Sequence, residues 1–146
     1  TLAPFVVTTH IKDMAVKESD DGFLLSEVPL GEGMLDLPRV LGTIEKVQPS
    51  VTFNLEMITR DPLHIPCLAE KYWATFPDKP GSQLAAMLAT VRQRAAAKLP
   101  SVSDKSTEAA LAYEEENVLK SLRYGGEKLG LPYLQIHKPL DDIDEK

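Results

Sequence analysis

A strand–helix–strand pattern near the beginning of the chain places the strictest limit on how it can fold. Residues 5–12 and 51–57 begin with the β-branched and aromatic residues that are typical of strands. Between them, apolar residues recur at helical spacing: Leu37, Val40, Leu41, Ile44 and Val47. The loop between this helix and the second strand is very short. The pattern therefore predicts one βαβ unit, which requires parallel strands and a right-handed crossover.

Both predicted strands become more polar toward their carboxyl ends. Successive strand side chains point to opposite faces, so each strand presents one polar set: Thr8, His10 and Lys12 in the first, and Thr52, Asn54 and Glu56 in the second. A buried strand would carry apolar residues there. A His and a Glu at the carboxyl ends of parallel strands suggest a metal or catalytic site at the mouth of a β/α barrel.

The remaining elements are predicted from helix signals and breakers. Asp36 is a suitable N-cap for the first helix, and residues 13–36 are expected to be a long connection. Residues 63–135 are expected to hold helices without strands, at about 66–76, 82–98 and 106–129. The last helix has an apolar seam and ends before a glycine: Leu111, Val118, Leu122, Leu129 and Gly130. We expect two parts, residues 1–76 and a helical extension, 77–146, with an acidic tail at 141–146.

Composition limits the class of protein. The 146 residues suffice for one domain, and 43% hydrophobic and 26% charged residues are typical of a globular protein. A net charge of −6 disfavours nucleic acid or an anionic membrane as partner. No apolar run reaches the roughly 20 residues of a membrane span. We expect a cytoplasmic protein, and any targeting signal would lie upstream of Thr1. The lone Cys67 excludes an intrachain disulfide, and the start at Thr1 suggests the downstream part of a longer chain.

One succession of short motifs resembles a known family. Residues 10–13 read His-Ile-Lys-Asp, residues 30–33 read Leu-Gly-Glu-Gly and are followed by Leu35 and Asp36, and the second strand ends at Leu55 and Glu56. In order and spacing, these motifs resemble the last two β/α units of the xylose-isomerase-like TIM barrels, the sugar phosphate isomerase/epimerase superfamily. The resemblance covers about the first 62 residues. It implies an α/β fold: the C-terminal part of a (β/α)8 barrel, strands seven and eight, followed by an α-helical extension.

The resemblance also implies a reaction and a site. His10 and Glu56 would be two ligands of a divalent metal ion (Mn, Mg, Co or Zn), and the remaining ligands would lie upstream of this chain. Glu56 could also be the acid/base, while Lys12 and Arg60 could bind a substrate oxygen or phosphate. The implied function is a metal-dependent sugar or sugar-phosphate isomerase/epimerase that moves a proton through an enediolate.

Several alternatives stay open from the residues alone. Lys12 could instead pair with a neighbouring carboxylate, Arg60 could pair at the surface, and Asp13 is expected to orient the loop that follows it. A non-catalytic binding or assembly module is a second possible function, with the helical extension as a homo-oligomer interface. Endonuclease IV-like phosphodiester hydrolysis ranks lower, since the chain has three His and a net negative charge. Two barrel strands alone lack partners, so we expect the isolated chain to be marginally stable and inactive.

Overall fold

The computed structural model describes residues 2–76, 78 and 80–132. The predicted acidic tail lies outside these residues. Within these residues, five strands and three α-helices follow in chain order: β1 (Thr8–Ile11), β2 (Asp13–Ser19), β3 (Gly22–Val28), α1 (Leu37–Glu45), β4 (Thr52–Leu55), β5 (Leu63–Ile65), α2 (Gly81–Arg94) and α3 (Thr107–Leu129). Two short 3-10 helices, Ala3–Phe5 and Glu70–Thr75, precede β1 and α2.

The predicted parallel pairing of two strands, with a helix in the connection between them, is confirmed. Strands β1 and β4 are parallel, in a register that pairs Thr8 with Thr52 and Ile11 with Leu55. Helix α1 connects them and is capped by Asp36, whose side chain accepts the Arg39 N–H. The helix covers one face of this pair, because its buried apolar residues pack with Ile11 of β1.

The predicted long connection after β1 is wrong. Residues 13–28 form an antiparallel hairpin, in which β2 and β3 pair from Asp13 and Val28 down to Ser19 and Gly22. β5 adds to the far edge of β3 and passes so close to the turn that a Cβ on Gly22 would lie 2.0 Å from the Ile65 carbonyl oxygen. The apolar stretch after the turn is therefore a central strand of a three-stranded sheet.

The two sheets do not join into a barrel. Among the described residues, β1 pairs only with β4, while β2, β3 and β5 form a separate sheet, and no closed barrel is present. The expectation that this chain begins with the last two units of a (β/α)8 barrel is therefore wrong. The fold is α/β, with a two-stranded parallel sheet, a three-stranded antiparallel sheet and a long C-terminal helix.

The region after residue 62 departs from the expected run of helices. It contains β5, and only a 3-10 helix occupies most of the span that was predicted as the helix 66–76. Helix α2 ends at Arg94, because the next residues turn back to β2, where the Ala96 N–H donates to the Val16 carbonyl. Val16 of β2 and Val91 of α2 are both fully buried and belong to the same hydrophobic cluster. This cluster holds α2 against the hairpin.

Helix α3 has the predicted ends and a different buried face. Ser106 accepts the Ala109 N–H at its start, and Gly130 closes it in the left-handed conformation, φ 67°. The predicted seam is wrong at Leu111, which is 65% exposed. The buried residues are instead polar or small, at four-residue intervals: Asn117, Ser121 and Gly125. No helix in the described part of the chain is long and apolar enough to cross a lipid bilayer.

Candidate functional site

Three of the predicted site residues meet at the carboxyl end of the parallel pair. The Glu56 N–H donates to the Ile11 carbonyl, 2.9 Å, so this residue continues the register one step beyond β4. Its carboxylate lies between the side chain of His10, in β1, and that of Lys12, one residue beyond the end of β1. His10 Nδ1 is 3.0 Å from Glu56 Oε2, and Lys12 Nζ is 2.7 Å from Glu56 Oε1. The parallel register thus brings together residues that are more than forty positions apart.

A fourth residue, Glu27, links Arg60 to this group. Glu27 is 3% exposed at the end of β3, and its Oε1 accepts from Arg60 at 2.8 Å and from Lys12 at 3.5 Å. Its second oxygen accepts the Ile58 N–H at 3.1 Å. A buried carboxylate needs such partners, because an unpaired charge in the interior is strongly unfavourable. We call His10, Lys12, Glu27, Glu56 and Arg60 the charged cluster.

The ion pairs shift the pKa values of Lys12 and Glu56 in opposite directions. The hydrogen bond to Glu56 raises the pKa of Lys12 above its ordinary value of 10.5, and Glu27 adds to this effect. The hydrogen bonds from Lys12 and then from His10 lower the pKa of Glu56 below 4.5. At neutral pH, Lys12 is therefore an ammonium and Glu56 a carboxylate.

The charged cluster ends a polar sheet face that is accessible to solvent. Asn54, next to His10 in the register, donates its amide to the Thr8 hydroxyl at 2.9 Å. Thr8, His10 and Asn54 are all exposed, and the His10 side chain is 69% exposed. Hydroxyl, amide, imidazole and carboxylate groups thus line one face of β1 and β4 in succession.

A mostly apolar cavity of about 290 Å³ adjoins the same strand. Its lining includes His10 and Lys12 together with apolar residues of α1 and β4, among them Leu37, Leu41 and Phe53. Its volume lies at the lower end of the range for small-molecule sites.

The donor set does not by itself fit a metal ion. His10 and Glu56 supply two ligating side chains, but both Glu56 oxygens are already engaged, one of them by the Lys12 ammonium. Among residues 2–76, 78 and 80–132, no group of three or more His, Cys, Asp or Glu side chains is placed to hold a metal. A mixed oxygen and imidazole site needs more ligands than this pair. The predicted divalent metal stays a prediction.

Asp13 orients a loop, as expected, but this loop lies after the hairpin, between β3 and α1, and not directly after Asp13. Its carboxylate is 1% exposed and accepts four backbone N–H groups, from Met14, Gly31, Gly33 and Leu35, at 2.8–3.1 Å. The loop between β3 and α1 therefore closes around one negative charge. Cys67 is also buried, and burial raises the pKa of its thiol.

Sequence reasoning did not identify Glu27 as part of the site. Its signal was available, because it ends an apolar strand just before Val28 and Pro29. A carboxylate at such a position predicts a nearby cation, by the same argument that drew attention to Glu56. What the sequence lacked was the hairpin, which places Glu27 opposite Met14 and beside Lys12.

No family model matches this chain, no curated protein matches it as a relative, and no solved structure matches its fold. The resemblance to the xylose-isomerase-like barrels is therefore corrected on two grounds. No family match supports it, and the segment between His10 and Glu56 contains an antiparallel hairpin within a fold that has no closed barrel in its described part. The charged cluster must be interpreted from its own geometry.

Proposed function

We propose that the charged cluster moves a proton on the carbon next to a carbonyl group in a small polyhydroxylated compound, a sugar or sugar phosphate. This is the chemistry of an isomerase or epimerase. One observation carries the proposal: the Glu56 carboxylate lies between His10 and Lys12, at the carboxyl end of a parallel pair and open to solvent. The polar sheet face beside it offers hydroxyl and amide partners for a substrate with several hydroxyl groups.

Lys12 and Glu56 supply the two groups that the reaction needs. The Lys12 ammonium binds the substrate carbonyl oxygen, and the Glu56 carboxylate takes the proton from the adjacent carbon. The electron pair of the broken C–H bond forms the C=C bond of an enediolate, and the negative charge moves to the oxygen beside Lys12. Return of the proton to the former carbonyl carbon gives the isomer, while the hydroxyl proton on the adjacent carbon moves to the former carbonyl oxygen and a new C=O bond forms there. Return of a proton from solvent water to the opposite face of the original carbon gives the epimer.

Substrate binding also makes Glu56 a stronger base. In the free protein the hydrogen bond from Lys12 lowers the pKa of Glu56, which weakens it as a proton acceptor. When Lys12 turns to a substrate oxygen, that hydrogen bond is lost and the basicity of Glu56 rises. His10 keeps the carboxylate oriented through its 3.0 Å hydrogen bond. Arg60, which is 62% exposed, offers a guanidinium for a substrate phosphate.

The test is hydrogen exchange in D₂O with a panel of aldoses, ketoses and their phosphates. We expect NMR to detect deuterium on the carbon next to the carbonyl of at least one compound, and at least about a 100-fold slower rate in Glu56→Gln. Glu116→Gln is the matched control, because Glu116 is an exposed residue of α3 that pairs only with Lys120 among the described residues. No exchange with any compound, or equal rates in the two variants, would overturn the proposal.

The same assay tests the predicted metal. The rate is measured after dialysis against a chelator and again after addition of Mn, Mg, Co or Zn. A rate that depends on the metal, together with metal binding that is lost in His10→Ala, would support the metal ligand assignment. An equal rate under both conditions would mean that no metal ion takes part in the reaction, and that the side chains of the charged cluster alone transfer the proton.

A binding or assembly module is the second candidate, and the surface of α3 favours it. Leu111 and Leu119 are 65% and 50% exposed and lie eight residues apart, on one side of the helix. A homo-oligomer through the helical extension would cover them. We expect sedimentation equilibrium to show a dimer that Leu111→Lys converts to a monomer. A monomer for the unaltered chain would refute this candidate and leave the enzymatic proposal untouched.

A further inference from the structure

We propose that α3 is the positioning element of the charged cluster: through Thr59, it determines how Lys12 divides between Glu27 and Glu56. This inference rests on the proposed function, in which Glu56 is the proton acceptor. How closely Lys12 pairs with Glu56 rather than with Glu27 sets the basicity of that acceptor. A series of hydrogen bonds and ion pairs leads from α3 to Glu56. It passes through Thr59 and its two neighbours in the chain, and each bond in it joins residues that are far apart in the sequence.

The series begins with two side chains of α3 that hold Thr59. Asn117 is 1% exposed, and its amide donates to the Thr59 hydroxyl at 2.9 Å. One turn earlier, the Glu114 carboxylate accepts the Thr59 N–H. A buried amide is costly to leave without a partner, so both the side chain and the backbone of Thr59 are fixed on the helix.

The two neighbours of Thr59 both bind the buried carboxylate. The Ile58 N–H donates to Glu27 Oε2 at 3.1 Å, and the Arg60 guanidinium donates to Glu27 Oε1 at 2.8 Å. Because the segment 58–60 is held at its middle residue, it presents these two donors together. The position of Thr59 therefore sets how closely the Ile58 N–H and the Arg60 guanidinium approach the Glu27 carboxylate and offset its charge.

Lys12 responds to what remains of the charge on Glu27. Its ammonium is 2.7 Å from Glu56 and 3.5 Å from Glu27, so it favours Glu56 while Arg60 neutralises Glu27. If the segment 58–60 is released, Glu27 is a nearly buried carboxylate with Lys12 as its remaining cation. Burial makes that attraction strong, and Lys12 then moves away from Glu56. His10 is left as the remaining partner of Glu56 within the charged cluster.

The test removes one hydroxyl group. Thr59→Val keeps the shape of the side chain and deletes the acceptor of Asn117, whereas Thr59→Ser keeps the acceptor and serves as the matched control. Carboxyl ¹³C titration by NMR follows Glu56 directly and needs no substrate. We expect the pKa of Glu56 to rise toward its ordinary value in Thr59→Val and to stay low in Thr59→Ser. Asp21, which pairs with His64 at the far end of the hairpin, is the internal reference.

Two further variants, Glu114→Ala and Arg60→Met, test the same series of contacts. Glu114→Ala releases the backbone of Thr59 from a partly exposed helix position, and it should raise the pKa of Glu56 in the same direction if Thr59→Val fails to fold. In an Arg60→Met background, the effect of Thr59→Val should shrink, because the segment then carries one donor fewer to Glu27. An unchanged Glu56 titration in both variants, or an undiminished effect without Arg60, would overturn the inference.

The outcomes separate this inference from the proposed function. If the titration of Glu56 shifts but no compound exchanges deuterium, the positioning by α3 stands and the proton-transfer proposal fails. If deuterium exchange occurs but the titration does not respond to Thr59→Val, the proton-transfer proposal stands and the positioning fails.

Discussion

Replacing Asp13 by Asn tests whether one buried charge organises the loop between β3 and α1. The substitution keeps the size of the side chain and changes one acceptor oxygen into a donor. Oδ1 accepts from Met14 and Leu35, and Oδ2 accepts from Gly31 and Gly33. Whichever way the new amide turns, its NH₂ group faces two backbone N–H groups, so two of the four hydrogen bonds are lost.

The magnitude follows from those two bonds. A hydrogen bond to a charged group contributes about 1.5–3 kcal/mol, and the loop is partly exposed, so we use the lower end for each. The expected loss in the free energy of unfolding is about 3 kcal/mol. Urea unfolding measures it, with the fluorescence of the single Trp73 as the probe.

Asp20→Asn is the matched control for this substitution. Asp20 is exposed in the turn between β2 and β3, so its replacement should change the free energy of unfolding by no more than about 0.5 kcal/mol. A loss below about 1 kcal/mol in Asp13→Asn would refute the reasoning, since it would mean that water or loop movement replaces the lost acceptor.

Three further outcomes are expected. Gly33→Ala places a Cβ 2.1 Å from the same buried carboxylate oxygen and 2.6 Å from a backbone carbonyl, so thermal unfolding should show a loss of about 2–4 kcal/mol. The Ser103 hydroxyl and nearby N–H groups hold the pKa of Asp61 at about 2, against an ordinary value of 3.8. The stabilisation from this carboxylate is therefore complete above about pH 4 and is lost as the pH falls toward 2, and Ser103→Ala should raise the pKa in an NMR titration. Val91→Ala empties part of the core between α2 and β2 and should cost about 2–3 kcal/mol in urea, whereas Val40→Ala, at a half-exposed position of α1, should cost less than about 1 kcal/mol; equal losses would contradict the burial argument.

The candidate site was predictable in part. His10, Lys12 and Glu56 could be placed together, because strand alternation and a parallel crossover are local rules that two short segments and a helix satisfy. The interpretation of Lys12 was left between a substrate contact and a carboxylate pair, and the structure places it between two carboxylates. The contact of Glu27 with Lys12 was not predictable, since it depends on a hairpin that was predicted as a connection.

By itself, the sequence determined the elements whose signals lie within a few residues of one another. These are the two strands and the helix of the βαβ unit taken singly, the cap of α1 at Asp36, and the ends of α3 at Ser106 and Gly130. Each depends on hydrogen bonds between near neighbours or on a single periodicity, so a short window contains the information.

Only the tertiary structure decided which surfaces meet. Asn117 and Ser121 are buried on α3 while Leu111 is exposed, because the helix packs on loops whose backbone and hydroxyl groups need polar partners. Likewise, Lys12 is shared between Glu27 and Glu56 because two sheets bring both carboxylates within reach of one ammonium. Such choices depend on burial and charge neutralisation summed over distant segments, and no local pattern of residues records that sum.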